Sequence, residues 1–239
     1  MVDFKDVLAF IPARKGSKGV PSKNKRALGG KPLVQWSLDA AAAIDDLSIF
    51  LSTDDEEIRD IGRPYTITSD YLRPGHLAND TAKTDDAVIH ALDWIESNLG
   101  KKYRYVVVLQ PTSPFRKPEE IEQAIAACKR ENKTVISVSK MWTHPYECVR
   151  IRDKEVEYLA KPDQTATRRQ DYNDDFYFIN GSIYCYLVDE IREKGKFNIE
   201  GFYPHPVPEI NNIDIDTELD FFIADQIKQG ALGSTTINI

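Results

Sequence analysis

The sequence predicts an α/β fold built on a mostly parallel sheet flanked by helices. Two observations carry that expectation. Short apolar runs alternate with amphipathic stretches in βαβα order over most of the chain. The clearest runs, 7–12 and 105–109, are continuously apolar, as strands buried on both faces of a parallel sheet are.

Val7–Pro12 is the first strand, and a Gly- and Lys-rich loop follows it. Pro32 opens a helix that runs to about Ala43, since proline suits a first turn. Residues 49–52 read as the second strand, with Thr53 and Glu56 as a capping box for a short helix. Residues 65–68 read as a third strand. Residues 81–98 place Val88, Ala91, Leu92 and Ile95 on one helical face. A strand at 105–109, a helix at 118–130 and a strand at 134–138 complete the alternation. The rhythm then breaks: residues 141–175 are polar and charged, with a hairpin expected around Arg152, Asp153 and Lys154. Strand character returns at 182–186 and in the run to Asp216. Residues 217–228 close the chain as a helix with Leu219, Phe222, Ile223 and Ile227 on one face.

The 239 residues suffice for one domain, 1–239, with 141–175 as an inserted excursion. A formal charge of -7 removes any global positive field, so no nucleic-acid partner is expected. No apolar run approaches the roughly 20 residues of a membrane span, and no membrane partner is expected. Asp3 and Asp6 spoil a signal peptide, which makes the cytoplasm the expected location. Cys128, Cys148 and Cys185 lie far apart, in neither a CxxC pair nor a disulfide framework.

Against the acidic background, the loop after the first strand is unusual. Five cations, Arg14, Lys15, Lys18, Lys23 and Lys25, fall within twelve residues. Gly16 and Gly19 let backbone N–H groups approach phosphate oxygens closely. Arginine can fork onto two such oxygens and lysine adds a point charge. Charge density alone favours a solvated basic loop. Its place after a buried first strand favours a ligand role, because ligands of such sheets gather at the carboxyl ends of strands. The spacing matches neither a P-loop nor GxGxxG.

Near the other end, Asp214 and Asp216 are two residues apart, a spacing that in a strand puts both carboxylates on one face, with Ile213 and Ile215 on the other. Two such carboxylates repel unless a cation or proton lies between them. Mg²⁺ accepts one or two carboxylates together with substrate phosphates. The competing reading makes Asp216 an N-cap of the last helix, although Thr217 with Asp220 could take that role.

The segment Ile11 to Asn24 closely resembles the N-terminal signature of the acylneuraminate cytidylyltransferases, the CMP-sialic acid synthetases. Further matches follow in order at 52–55, at Arg73-Pro74 with 77–82, at 110–116, at 180–184 and at 214–218. The resemblance covers roughly residues 7 to 220. It implies a Rossmann-like nucleotidyltransferase fold with a dimerisation excursion. It also implies transfer of CMP from CTP to the anomeric hydroxyl of a nonulosonic sugar acid, with Mg²⁺ as cofactor and release of pyrophosphate. On that resemblance Arg14, Lys23 and Asp216 are catalytic. Ser17, Lys18, Asn24, Arg73, Ala82 and Thr84 bind the nucleotide, and Asp214 with Asp216 ligates the metal. Gln110, Thr112, Asn180, Tyr184 and Phe197 meet the sugar, and Arg169 (or its neighbour Arg168) meets the sugar carboxylate. A homodimer is implied, with 141–175 reaching the partner.

One departure bears on the acceptor. Some members carry two adjacent phenylalanines beside the acyl group, where this chain has Phe197 followed by Asn198. Legionaminate-type acids therefore fit as well as N-acetylneuraminate. A CMP-Kdo synthetase, a metal-dependent glycosyltransferase and a non-catalytic nucleotide-binding module are the other readings. The 15–19 loop and Arg168-Arg169-Gln170 argue against the first. The late position of the aspartate pair and the basic loop argue against the second, and the presence of both cation loop and metal pair against the third.

Overall fold

A computed structural model describes residues 2–161 and 175–230. Its centre is a six-stranded sheet in the order β10-β6-β9-β5-β1-β4. These strands are β1 (Val7–Pro12), β4 (Ser48–Ser52), β5 (Tyr105–Val108), β6 (Val135–Lys140), β9 (Tyr177–Leu187) and β10 (Tyr203–Pro206). β1 pairs in parallel with β4 and β5, and β10 in parallel with β6. Only β9, inserted between β5 and β6, runs antiparallel to its neighbours. The expected mostly parallel sheet is present.

The continuous apolar run of β1 is explained by burial on both sides. Val7, Ala9 and Ile11 face a cluster built with Val34, Leu38 and Ala41 of α1 (Leu33–Ala42) and Ile121, Ile125 and Cys128 of α4 (Pro118–Glu131). Leu8 and Phe10 face the opposite cluster. There Val88, Ala91, Leu92 and Ile95 of α3 (Thr84–Leu99) pack with Ile191 of α5 (Val188–Lys194). Among the described residues no helix is long and apolar enough to cross a membrane.

Four local expectations are corrected. Residues 65–68 form no strand; Ile67 donates one backbone bond to Ile49. The Thr66 and Thr68 hydroxyls bond to nearby backbone instead, which competes with a ladder. The short helix α2 (Glu56–Gly62) is capped by Asp55, whose carboxylate accepts from the amides of Glu57 and Ile58, and Thr53 lies buried beneath it. Residues 213–216 are an extended loop rather than a strand, tied to the sheet edge by the Ile215 amide bonding to the Thr112 carbonyl. In α6 (Glu218–Lys228) the buried residues are Phe221 and Ala224, while Leu219 and Phe222 are 66% and 61% exposed. The apolar spacing is real, but it marks a second face that the described chain leaves uncovered.

A two-residue ladder, β2 (Ala27–Leu28) with β3 (Lys31–Pro32), leads from the basic loop into α1. The hairpin expected in the excursion is present as β7 (Val149–Arg152) and β8 (Glu155–Tyr158). Asp153 and Lys154 both have positive φ, the turn geometry that matches strand twist in two-residue hairpins.

Candidate active site

The strand β1 ends where Ala13 donates its amide to the Ser52 carbonyl, so the basic loop leaves the sheet beside the end of β4. Its shape is set by internal bonds. Ser17 donates to the Val20 carbonyl and accepts from the Lys23 amide, Asn24 donates to the Arg14 carbonyl at 2.9 Å, and the Lys15 amide donates to Asp54 at 2.7 Å. Ser17 and Asn24 thus shape the loop as well as line it.

The loop opens on a cavity of about 390 Å³ at the carboxyl edge of β1, β4 and β5. Arg14, Ser17, Lys18, Lys23 and Asn24 line one wall. Arg73, Ala82 and Thr84 line another, and Gln110, Thr112 and Asp216 complete the enclosure. Arg73 is held by bonds from its guanidinium to the Ser52 hydroxyl and carbonyl, and burial pulls its pKa down.

The two distant motifs meet directly. Lys23 points its ammonium at the Ile215 carbonyl and at the Asp216 carboxylate, 3.4 Å away. Gly19 presses its backbone against Asp216: a Cβ built there would lie 1.8 Å from the Asp216 carbonyl oxygen. Asp214 sits deeper. Burial pushes its carboxyl upward, the charge of Asp216 adds to that, and Thr112 opposes it with a hydrogen bond. Among the described residues its Oδ1 is buried without a partner.

Tyr184 lies beyond Asp214: a Cβ at Gly181 would be 3.9 Å from Asp214 Oδ2 and 4.0 Å from the Tyr184 hydroxyl. Tyr184 stacks on Tyr186, which stacks on Phe197 at 4.2 Å between ring centroids. Tyr184 and Phe197 therefore sit outside the cavity wall, on a ladder that begins at Asp214. The Asn198 amide reaches Glu190 at 3.5 Å. Asn180 is 4% exposed, and its amide is committed to Ser137 at 2.6 Å and Ser139 at 2.7 Å. That network leaves it shaping β6 and β9 rather than facing the cavity. Arg168 and Arg169 lie outside the described residues.

Two residues that sequence reasoning left without a role stand out. Asp80 accepts from Arg14 at 2.7 Å and pairs with Lys18 at 3.1 Å, contacts that hold its carboxyl below the usual range. Arg116 is buried, bonded to the Ser37 hydroxyl and the Gln110 carbonyl. Burial lowers its pKa to about 9 despite nearby Asp214 and Glu120. Both sit in segments that carry the family resemblance, 77–82 and 110–116, which was the available signal.

Cations that can hold a polyphosphate, set against carboxylates that can hold a divalent ion, suit a transfer in which a nucleotide loses pyrophosphate. This chain is a nucleotidyltransferase. It belongs to the cytidylyltransferase family, whose model matches residues 8–218.

Among curated relatives, the CMP-N,N'-diacetyllegionaminic acid synthase of Legionella pneumophila is 36% identical, over 93% of this chain and 96% of its own. An N-acylneuraminate cytidylyltransferase of Streptococcus agalactiae is 32% identical over 90% of this chain, which spans only 51% of that longer protein. Among solved structures, a 4-diphosphocytidyl-2C-methyl-D-erythritol synthase from Anaerococcus prevotii superposes with a TM-score of 0.64 at 21% identity, covering 95% of this chain and 100% of its own. A CMP-2-keto-3-deoxy-manno-octonic acid synthetase gives 0.63 at 15%, covering 92% and 97%. At those identities the structural likeness shows the fold alone.

Proposed function

We propose that the chain transfers CMP from CTP to the anomeric hydroxyl of a nonulosonic sugar acid. The hydroxyl oxygen bonds to the α-phosphorus, the bond to the β-phosphate oxygen breaks, and pyrophosphate leaves while the hydroxyl proton is lost. The observation that carries this reading is the direct meeting of Lys23 with Asp216 at the lining of one cavity, on a chain of this family. Arg14, Lys18 and Lys23 would hold the triphosphate and offset charge on the leaving group. Asn24, Arg73, Ala82 and Thr84 would hold the nucleoside. Gln110, Thr112 and Tyr184 would orient the acceptor, with Arg169 on its carboxylate.

The aspartate pair fits Mg²⁺. Asp214 offers a buried oxygen without a partner among the described residues, and Asp216 is exposed beside the phosphate wall. A magnesium ion needs few protein carboxylates when phosphates supply other ligands. Bound there, it would neutralise phosphate charge and acidify a nearby hydroxyl. Legionaminate-type acids are the first acceptors to test, because the relative at 36% identity is named for one.

A homodimer fits the excursion. The hairpin β7–β8 puts Val149, Ile151, Val156 and Tyr158 on one exposed face and pairs Arg150 with Glu157 on the other. An isolated two-stranded hairpin is marginal in water, so an apolar face of this kind calls for a partner. A cytoplasmic location fits the free thiols of Cys128, Cys148 and Cys185.

The deciding experiment incubates the protein with CTP, Mg²⁺ and a panel of nonulosonic acids and measures pyrophosphate. Release should require both the acid and Mg²⁺, and Asp216→Ala should lower it at least about a hundredfold while leaving the fold intact. Near-normal turnover in that variant would sink the metal assignment.

A further inference from the structure

The phosphate wall already holds an anion of the protein's own. Asp80 lies between α2 and α3 in sequence, yet its two carboxylate oxygens engage the two cavity-lining cations of the loop's outer half: Oδ1 meets Arg14 at 2.7 Å and Oδ2 meets Lys18 at 3.1 Å. Both cations line the cavity. Lys18 is itself largely exposed, so its ammonium is free to exchange one anion for another. Asp80 is also half exposed, and among the described residues its carboxylate's partners are Arg14 and Lys18.

Lys23, by contrast, is held by the Ile215 carbonyl and Asp216, and Lys25 by Asp55 and Glu57. A divalent ion on Asp216 would free Lys23 for phosphate. Arg14 and Lys18 are held instead by Asp80. A phosphate reaching them has to compete with the carboxylate.

We propose that Asp80 is an internal occupant of the phosphate site, displaced from Arg14 and Lys18 by an incoming polyphosphate and returning when that anion leaves. The inference rests on the nucleotide reading of the cavity and deepens it. A resident carboxylate keeps the cations ordered between turnovers and handicaps weakly charged anions such as orthophosphate. A triphosphate carries enough charge to win the exchange. The same competition favours departure of pyrophosphate.

The test is binding of tripolyphosphate without metal, measured by calorimetry for the wild type, Asp80→Asn and Asp80→Glu. Removing the competitor should tighten tripolyphosphate binding by about fivefold at low salt, and high salt should shrink the gain because the pairs are exposed. Asp80→Glu restores a carboxylate within reach and should bind like the wild type. Unchanged thermal melting guards against a change in fold. If Asp80→Asn binds no tighter than the wild type, or more weakly, the carboxylate supports the site instead and the proposal fails while the function stands. If neither protein takes up tripolyphosphate or CTP, the phosphate site is wrong and the proposal falls with it.

Discussion

At the residue scale, Gly19 joins the two halves of the site. Its φ lies outside the left-handed region, so an alanine there is not a backbone problem but a steric one. The added methyl would fall 1.8 Å from one backbone atom of Asp216 and 3.0 Å from another, and neither can swing aside as a side chain could. The basic loop and the Asp216 segment would have to separate by an ångström or more, and Lys23 would lose its place against Asp216. Misplacement on that scale costs about a hundredfold in rate. Gly19→Ala is therefore expected to lower the rate of pyrophosphate release about a hundredfold, with a modest drop in thermal melting because Val20 and Ile215 pack together beneath the contact. A variant with wild-type turnover would show that the contact positions nothing. The glycine was visible in sequence as a residue suited to phosphate. That its neighbour is Asp216 was not, because the two lie almost a full chain apart and only the sheet edge brings them together.

At the element scale, α6 repays the same attention. Its inner face packs Phe221 and Ala224 beside Val20 and Ile215, which anchors the segment carrying Asp216. Its last residue, Lys228, lays its ammonium 3.5 Å from the Trp36 ring centroid and 4.5 Å from that of Phe115. Burial, aided by the charge of Lys31, lowers its pKa from 10.5 to about 8. The folded state thus disfavours the ammonium, whereas the unfolded chain keeps it charged up to about 10.5. Between those values the unfolded state binds more protons, so stability should rise with pH through that window. Below about 8 the penalty is fully present. Partial solvent access and the aromatic faces reduce it to about 1 kcal/mol. Lys228→Met should melt higher than the wild type at neutral pH, and the advantage should fade as pH climbs from about 8 to 10.5. Equal melting at neutral pH would refute this. Helix periodicity found α6 but chose the wrong face, since Leu219, Phe222 and Ile223 recur as regularly as the buried pair. Strands buried on both sides, β1 above all, were legible because no polar residue interrupts them. Asp214 to Asp216 misled because alternation says which side chains share a face, not whether a strand pairs beside them.

At the scale of the whole molecule, the two sheet faces and the cluster beneath α6 hold the buried apolar residues described above, and the excursion lies apart from them. Ile151 and Val156 face each other across β7–β8 and are 70% and 60% exposed. Tyr177, Phe178 and Ile179, in the first half of β9, are exposed as well. A hairpin with one apolar face has little reason to persist alone, and a second copy of the chain offers the same face for self-complementary packing. A charge at the centre of that face would be buried unpaired in a dimer but solvated in a monomer. Ile151→Asp is thus expected to convert a dimer into a monomer by light scattering. The sheet core lies elsewhere, so the circular dichroism of the helices should not change. Pyrophosphate release should fall with dimer content if the partner helps to complete the acceptor site. A wild type that is monomeric and fully active would overturn the dimer, and a variant that stays dimeric would move the interface off this hairpin.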